Sequence, residues 1–254
     1  MKFESLEPNG SFFMLNENTM LGQGDCLELL KNIPDGSVDM VLTDPPYGTT
    51  ACKWDSVIPF EPMWAELKRI IKPNGAIVLF GSEPFSSMLR CSNLKMFKYD
   101  WVWIKNLSTN FLHAKRQPLR NTENIHVFYN KARYFPIKST GHAPTTSAKG
   151  SSNGVLYHGE NVRNYVGGDT TRYPKTTLMF DTVDPKLRNH PTQKPVALLE
   201  YLIKTYTQEG ETVLDFAMGS GGTIVAAMNT NRKSIGIELD QNYFEIAKKR
   251  IQES

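Results

Sequence analysis

The sequence predicts an α/β fold, a mostly parallel sheet with helices on both faces, interrupted by an inserted lobe. Three observations predict it. Strand-like and helix-like segments alternate at both ends of the 254-residue chain. The run 76–80 (AIVLF) is continuously apolar, as in strands buried on both faces. The stretch 139–171 is rich in Ser, Thr, Gly and Asn and has no apolar period, and so long an irregular stretch inside a compact domain is usually functional or mobile.

The elements follow in order. Gly24-Asp25 ends a first strand, and 26–30 begins a helix that Asp25 would cap. Residues 37–43 (SVDMVLT) form a short β-branched and apolar strand, stopped by Pro45-Pro46. Trp64, Leu67 and Ile71 recur at helical spacing over 60–71, and Pro73-Asn74-Gly75 supplies turn residues after them. The strand 76–80 comes next. Beyond the middle, Pro195 opens a helix carrying Leu198, Leu199, Leu202 and Ile203, since proline is favoured at a first helical position. Strand 212–216, helix 223–229, strand 234–239 and helix 242–251 complete the pattern, and the inserted lobe is read as 131–189.

Composition bounds the function classes. With 40% hydrophobic and 22% charged residues, a disordered or collagen-like chain is excluded. No run of about 18 apolar residues is present, so no membrane partner is expected. Residues 1–10 lack the basic-then-apolar order of a signal peptide. Cys26, Cys52 and Cys91 are far apart with no CxxC pair, which argues against a disulfide framework or a zinc site and for a reducing cytoplasm. Net charge is +3, but 95–188 holds 15 Lys/Arg against 6 Asp/Glu, a net of +9, and the remainder a net of −6. Such asymmetry points to a polyanion. Trp101, Trp103, Phe111, Phe128, Tyr129, Tyr134 and Phe135 lie in the same stretch and favour nucleic acid.

Four local patterns carry chemistry. Asp44-Pro45-Pro46-Tyr47-Gly48 stands at the carboxyl end of a strand, the edge where open α/β sheets bind ligands. Two prolines stiffen the backbone and remove two N–H donors. A carboxylate, free carbonyls and the Tyr47 ring then form an acceptor cluster beside an aromatic plate, suited to an exocyclic amine on a flat base. The second pattern is the glycine loop Asp215-Phe216-Ala217-Met218-Gly219-Ser220-Gly221-Gly222-Thr223 between strand and helix, followed by Glu238 at the next strand end. Glycines admit a tight turn and close approach, and the acid can accept two ribose hydroxyls. This suits an adenosine-containing cofactor, and the missing GxGxxG pattern argues against NAD. The other two are His190-Pro191-Thr192-Gln193-Lys194-Pro195 before the last helix-rich segment, and Gly24-Asp25; each alone reads as a helix start or cap.

Taken together these residues resemble the amino-type DNA methyltransferases that use S-adenosylmethionine, and their order resembles the permuted β group. The match covers roughly residues 20–130 and 189–252. It implies a class I methyltransferase, Rossmann-like fold, with 1–130 as the catalytic half, 190–254 as the cofactor-binding half and 131–189 as a target-recognition lobe. Aspartate rather than serine before Pro45-Pro46 implies adenine N6 as acceptor. By the same resemblance, Asp44 and the Pro45 carbonyl hold the amine within the Asp44-Pro45-Pro46-Tyr47 motif, and Tyr47 stacks on the base. Asp215, Gly219, Ser220 and Gly221 approach the methionine part of the cofactor, and Glu238 binds its ribose. Asp25 with the Cys26 backbone reads the cofactor's adenine, and Thr192, Gln193 and Lys194 close over the methionine end. Trp103, Lys105 and 121–129 flank the base pocket, and Lys105, Lys115, Arg116 and Arg120 are candidate contacts to the phosphates of double-stranded DNA. A bacterial or phage cytoplasm is the implied setting, and a homodimer and a cognate restriction endonuclease are compatible partners. The glycine loop departs from the family's DPF-x-GSGTT: Phe216 and Ala217 replace Pro and Phe, and Gly222 replaces the first Thr. Cytosine-N4 or RNA amines, or a DNA-binding module without turnover, are the competing readings.

Overall fold

A computed structural model describes residues 12–49, 55–152, 161–187, 190 and 192–254. The signal-peptide reading of 1–10, Cys52 and Pro191 fall outside these, and for 148–152 and 161–165 only the backbone is described. The chain divides into two compact units, Met1–Phe135 with Thr176–Ser254, and Pro136–Lys175.

The larger unit is built on a nine-stranded sheet. Its strands are β1 (Phe12–Asn16), β2 (Thr19–Gln23), β3 (Val38–Thr43), β4 (Ile71–Gly81), β5 (Phe97–Thr109), β6 (Arg120–Phe128), β9 (Thr177–Met179), β10 (Thr212–Asp215) and β11 (Lys233–Glu238), while β7 (Ala148–Ser152) and β8 (Asn161–Tyr165) belong to the smaller unit. The order across the sheet is β1-β2-β11-β10-β3-β4-β6-β5-β9. From β2 through β11, β10 and β3 to β4 every pairing is parallel, and β6 enters antiparallel between β4 and β5. All six residues of β3 are buried, as a central parallel strand requires.

Helices cover both faces. Against one lie α1 (Cys26–Leu30), α2 (Phe60–Ile70) and α3 (Phe85–Ser92), with Leu30, Leu67 and Phe85 in a core that includes Val41 and Ile77. On the other, α4 (Val196–Tyr206) buries Leu198, Leu202 and Tyr206 against Met40, Leu42 and Val78. Also there, α5 (Gly222–Asn229) and α6 (Gln241–Gln252) pack Ile224, Phe244 and Ile251 on Leu21. Alternate residues of β3 thus serve opposite cores; the mostly parallel sheet covered on both faces is what the alternation predicts, and it is the class I, Rossmann-like arrangement that the resemblance implies.

Two readings of the sequence are corrected. Pro73-Asn74-Gly75 does not end an element; it lies inside β4, where Val38 faces Ile71 and Met40 already faces Ala76, so the extra residues bulge from the ladder. Gly75 permits this, because a Cβ there would stand 2.7 Å from the Asp39 carbonyl oxygen. The aromatics of the basic stretch also divide. Trp101, Trp103 and Phe128 are at most 3% exposed and belong to the core, whereas Phe111 is 74% exposed. The first three are packing residues of β5 and β6 and form no stacking surface open to solvent.

The smaller unit holds the antiparallel hairpin β7–β8. Its ends are tied by main-chain bonds between Ser139 and Arg172, and the Arg172 guanidinium donates to the carbonyls of Ala143, Asp169 and Thr171.

Candidate active site

In the sheet, β3 and β10 are neighbours, yet the chain leaves β3 toward β4 on one side and β10 toward β11 on the other. Their carboxyl ends therefore open on the switch point, where α/β sheets form a ligand crevice. A cavity of about 720 Å³ lies there, in the size range of small-molecule sites. It is lined at one end by Asp44, Tyr47, Trp103, Lys105, Glu123 and Lys194, and at the other by Asp25, Cys26, Gly219, Ser220 and Glu238.

At the first end, the turn after β3 is held by Asp55, whose two carboxylate oxygens accept the main-chain N–H groups of Gly48 (2.8 Å) and Thr49 (2.9 Å). Gly48 has φ +67°, and any Cβ there would also meet Val57 at 2.9 Å. Tyr47 stacks one ring face on Phe85, with centroids 5.0 Å apart. Its hydroxyl lies 2.5 Å from Asp44 Oδ1 and 2.9 Å from Glu123 Oε1, so one proton is shared between two carboxylates. Lys194 Nζ donates to Asp44 Oδ2 and lies 3.0 Å from Glu123 Oε1. Lys105 Nζ lies 2.5 Å from Glu123 Oε2 and sits over the Trp103 ring.

This cluster balances two acids with two ammonium groups. Burial, which would raise it, is outweighed at Glu123 by Lys194 and Lys105, and its carboxyl falls to about 2. At Asp44 burial prevails over Lys194, with Glu123 adding to it, and its carboxyl is raised. Lys194, although burial opposes its charge, is held above its ordinary value by Asp44 and Glu123. Tyr47 is pushed well up by burial and by both acids and stays neutral.

At the other end the acids meet main chain. Glu238 Oε2 accepts the Gly219 N–H and Oε1 the Asp240 N–H, both at 2.8 Å. Gly219 (φ +52°) and Gly221 (φ +76°) make the loop turn before α5, and Arg250 donates to the Ser220 carbonyl. Asp25 Oδ1 caps α1 through Leu27 N–H at 2.8 Å. Asp215 is raised to about 7 by burial, against bonds from Thr223, the Ala217 N–H and Thr43. Burial and Asp25 push the Cys26 thiol up to about 12, so it stays protonated. His190 packs edge-on to Tyr243 and is lowered to about 4 by burial and Lys194, hence neutral. Its Nδ1 accepts the Thr192 N–H at 3.3 Å, and Gln193 Oε1 lies 3.5 Å from the Ser220 hydroxyl.

The structure brings Asp44, Pro45, Pro46, Tyr47, Asp25, Cys26, Thr192, Gln193, Lys194, Asp215, Gly219, Ser220 and Glu238 to one cavity. Gly221 lies just behind it, against Ile251. The Lys194 side chain reaches the acids of the Asp44 end, where its charge is compensated. One placement differs from expectation. Lys105 is only 18% exposed and paired with Glu123, so it is not available as a phosphate contact. Lys115 and Arg116 are exposed beyond the turn Phe111–His113, and Arg120 is exposed with its guanidinium on Ser82 Oγ. The substituted Phe216 is buried in the core and still lines the cavity. Sequence reasoning missed Asp55, and it held Glu123 only within the stretch 121–129, without a role of its own. For Glu123 a signal exists: it shares a β6 face with Ile125 and Val127, where a charge is out of place.

The cavity has the features an adenosine-containing cofactor needs: a positive-φ glycine turn that keeps side chains away and a buried acid beside it. A family model described as DNA methylase, of the N6/N4 type, matches residues 38–249. The DNA adenine methyltransferase YhdJ of Escherichia coli is 31% identical over 93% of this chain and 83% of its own length. The type II methyltransferase M.HpaI of Haemophilus parainfluenzae is 29% identical over 89% of this chain and 72% of its own. The crystal structure of the M1.HpyAVI–SAM complex superimposes with a TM-score of 0.62 at 27% identity, covering 91% of this chain and 99% of that one. With an acid-bearing Pro-Pro turn and a glycine turn meeting at one switch point, and a family match over most of its length, this chain belongs to the DNA methylases, S-adenosylmethionine-dependent amino methyltransferases.

Proposed function

We propose that this chain methylates the N6 amine of adenine within a specific sequence of double-stranded DNA, after the base is turned out of the helix. One observation carries the reading: Asp44 stands at the switch point, in a cavity that continues to the glycine turn. The similarity to a DNA adenine methyltransferase supports the choice of base.

S-adenosylmethionine, when bound, supplies an electrophilic methyl group; Asp215, Gly219, Ser220 and Glu238 are placed to hold it. The chain's own residues do the rest. Extruding a base costs a few kcal/mol. Stacking on Tyr47, which Phe85 backs, offsets about 1–3 kcal/mol of that. The adenine amine is a weak nucleophile because its lone pair is delocalised into the ring. Asp44 and the Pro45 carbonyl accept its two N–H groups, which favours a tetrahedral nitrogen and stabilises the positive charge that develops there. The walls of the cavity would orient the amine toward the cofactor's methyl group. After transfer the nitrogen carries a surplus proton, and Asp44 is the nearest acceptor.

Lys115, Arg116 and Arg120 are assigned to phosphates, and target choice to the inserted lobe 131–189. Because several relatives are named type II methyltransferases, an endonuclease cutting the same sequence is the companion this reading adds, and a homodimer is compatible with it. Among the described residues no helix is long and apolar enough to cross a membrane. The test is to incubate the protein with unmethylated genomic DNA and labelled S-adenosylmethionine, then digest to nucleosides. N6-methyl-2′-deoxyadenosine is expected; N4-methyl-2′-deoxycytidine, or label only in a parallel incubation with RNA, would overturn the reading. Lys115→Ala should lower the log–log salt slope of DNA binding by about one.

A further inference from the structure

Asp44 has a partner on each oxygen: the Tyr47 hydroxyl on Oδ1 and the Lys194 ammonium on Oδ2. An amine arriving at this acid meets an ammonium already in place. Two costs follow. The ammonium draws electron density from the acceptor, and its charge repels the positive charge growing on the nucleophilic nitrogen. Lys194 is only 9% exposed, so it cannot simply swing into water, and a buried cation without a partner is strongly disfavoured.

Glu123 resolves this. Its Oε1 is already 3.0 Å from Lys194 Nζ, and its Oε2 is anchored at 2.5 Å by Lys105, which keeps the acid in position. The Tyr47 hydroxyl touches the same two acids, so the proton and the ammonium can both shift between Asp44 and Glu123 without leaving the cluster. We propose that Glu123 is a positioning residue that takes Lys194 over from Asp44 as the target amine docks, leaving Asp44 free to bond the amine. It does not touch the reacting atoms. The inference rests on Asp44 being the amine acceptor.

The test uses the full chain, unmethylated genomic DNA and labelled S-adenosylmethionine, with rates measured in single turnover across pH. In Glu123→Gln, Lys194 loses its charged alternative and stays on Asp44. The plateau rate should fall about 100-fold with cofactor affinity near wild type, and the melting temperature should drop, because Lys105 and Lys194 lose a charged partner. The acid limb should move to lower pH, since removing the Glu123 charge lowers the Asp44 carboxyl. In Lys194→Met the acid limb should move to higher pH, because Asp44 loses the cation that favours its charged form. Adding Lys194→Met to Glu123→Gln should then restore at least tenfold of the lost rate. A brace that only stiffens β6 would instead make the two losses multiply, and that result overturns the proposal. So does a wild-type plateau in Glu123→Gln. Should that variant fail to fold, Glu123→Asp carries the test: a reduced plateau with an unshifted limb is expected, and a shifted limb overturns it. The wild-type product, analysed separately, decides which amine is methylated; a different acceptor would revise that reading without changing the ratios between variants.

Discussion

One pocket buries a carboxylate at each end and holds the two in opposite ways. Glu238 accepts a main-chain N–H on each oxygen, from Gly219 and Asp240. Among the described residues, Asp44 accepts from side chains, those of Tyr47 and Lys194. A main-chain donor cannot leave without unmaking the turn, whereas a lysine rotates away if another acid receives it. On the proposed reading, the first arrangement would make a fixed wall against which a cofactor is placed, and the second an exchangeable site where a substrate competes.

The largest effect should come from the exchangeable end. Asp44→Ala should reduce methyl transfer by about 1,000-fold, the scale of losing one stabilising group at a reacting centre. Cofactor affinity should stay within about threefold, since Asp44 supports no part of the glycine turn. Single-turnover rates with labelled S-adenosylmethionine measure the first and calorimetry the second; comparable turnover in the variant would remove this acid from the mechanism.

At the fixed end the pattern should reverse. Glu238→Gln keeps the shape but offers an amide N–H to one of the two main-chain donors. Charge-assisted bonds of this kind are worth about 1.5–3 kcal/mol, so cofactor affinity should drop roughly 10- to 150-fold. The transfer rate from the saturated complex should change far less. An unaltered dissociation constant would reduce Glu238 to a brace for its own loop.

Asp215 sharpens the contrast through pH. Burial raises it to about 7, so below that value it is neutral in the free protein. A positively charged cofactor prefers the ionised acid, so affinity should strengthen as pH rises and level off above about 7. One unit below, it should be about tenfold weaker. Folding runs the other way: the native state holds a proton that the unfolded chain has released, so this group's contribution to stability declines from about pH 4 to 7. Asp215→Asn should flatten both curves, in calorimetry at pH 6 and 8 and in pH-dependent melting. The smallest effect belongs to Asp25. Its Oδ1 caps α1, so Asp25→Ala should cost about 1 kcal/mol of stability. At this chain length that is a melting shift of roughly 2–4 °C. A shift of zero would mean that the cap is not holding the helix.

Much of this was legible in the residues themselves. Period and punctuation located β3, α2, α4, β10, α5, β11 and α6, because each is short, strongly patterned and bounded by proline, glycine or an acid. The Pro-Pro turn and the glycine turn were legible because their chemistry is local: prolines fix the backbone, and positive φ demands glycine. Elements whose meaning depends on partners far away in sequence were not. Pro73-Asn74-Gly75 looks like a terminator and is instead a bulge, since Gly75 must pass the Asp39 carbonyl. Trp101 and Trp103 look like a stacking surface, and strand pairing across β5 and β6 turns them into core.

What the sequence by itself determined is the layered α/β architecture and the identity of the two turns that meet in the crevice, because both rest on interactions within a few residues. Only the tertiary structure decided how the charges are shared. Lys194 is 150 residues from Asp44, and Lys105 and Glu123 sit on adjacent strands whose register is set by the whole sheet. Pairing of buried charges depends on distances of a few ångströms in a medium that screens them poorly, and no local pattern encodes that. It made Lys194 a partner of Asp44 and Glu123, withdrew Lys105 from the phosphates, and gave Glu123 its charged neighbours, which exist only once β6 lies beside β4 and β5.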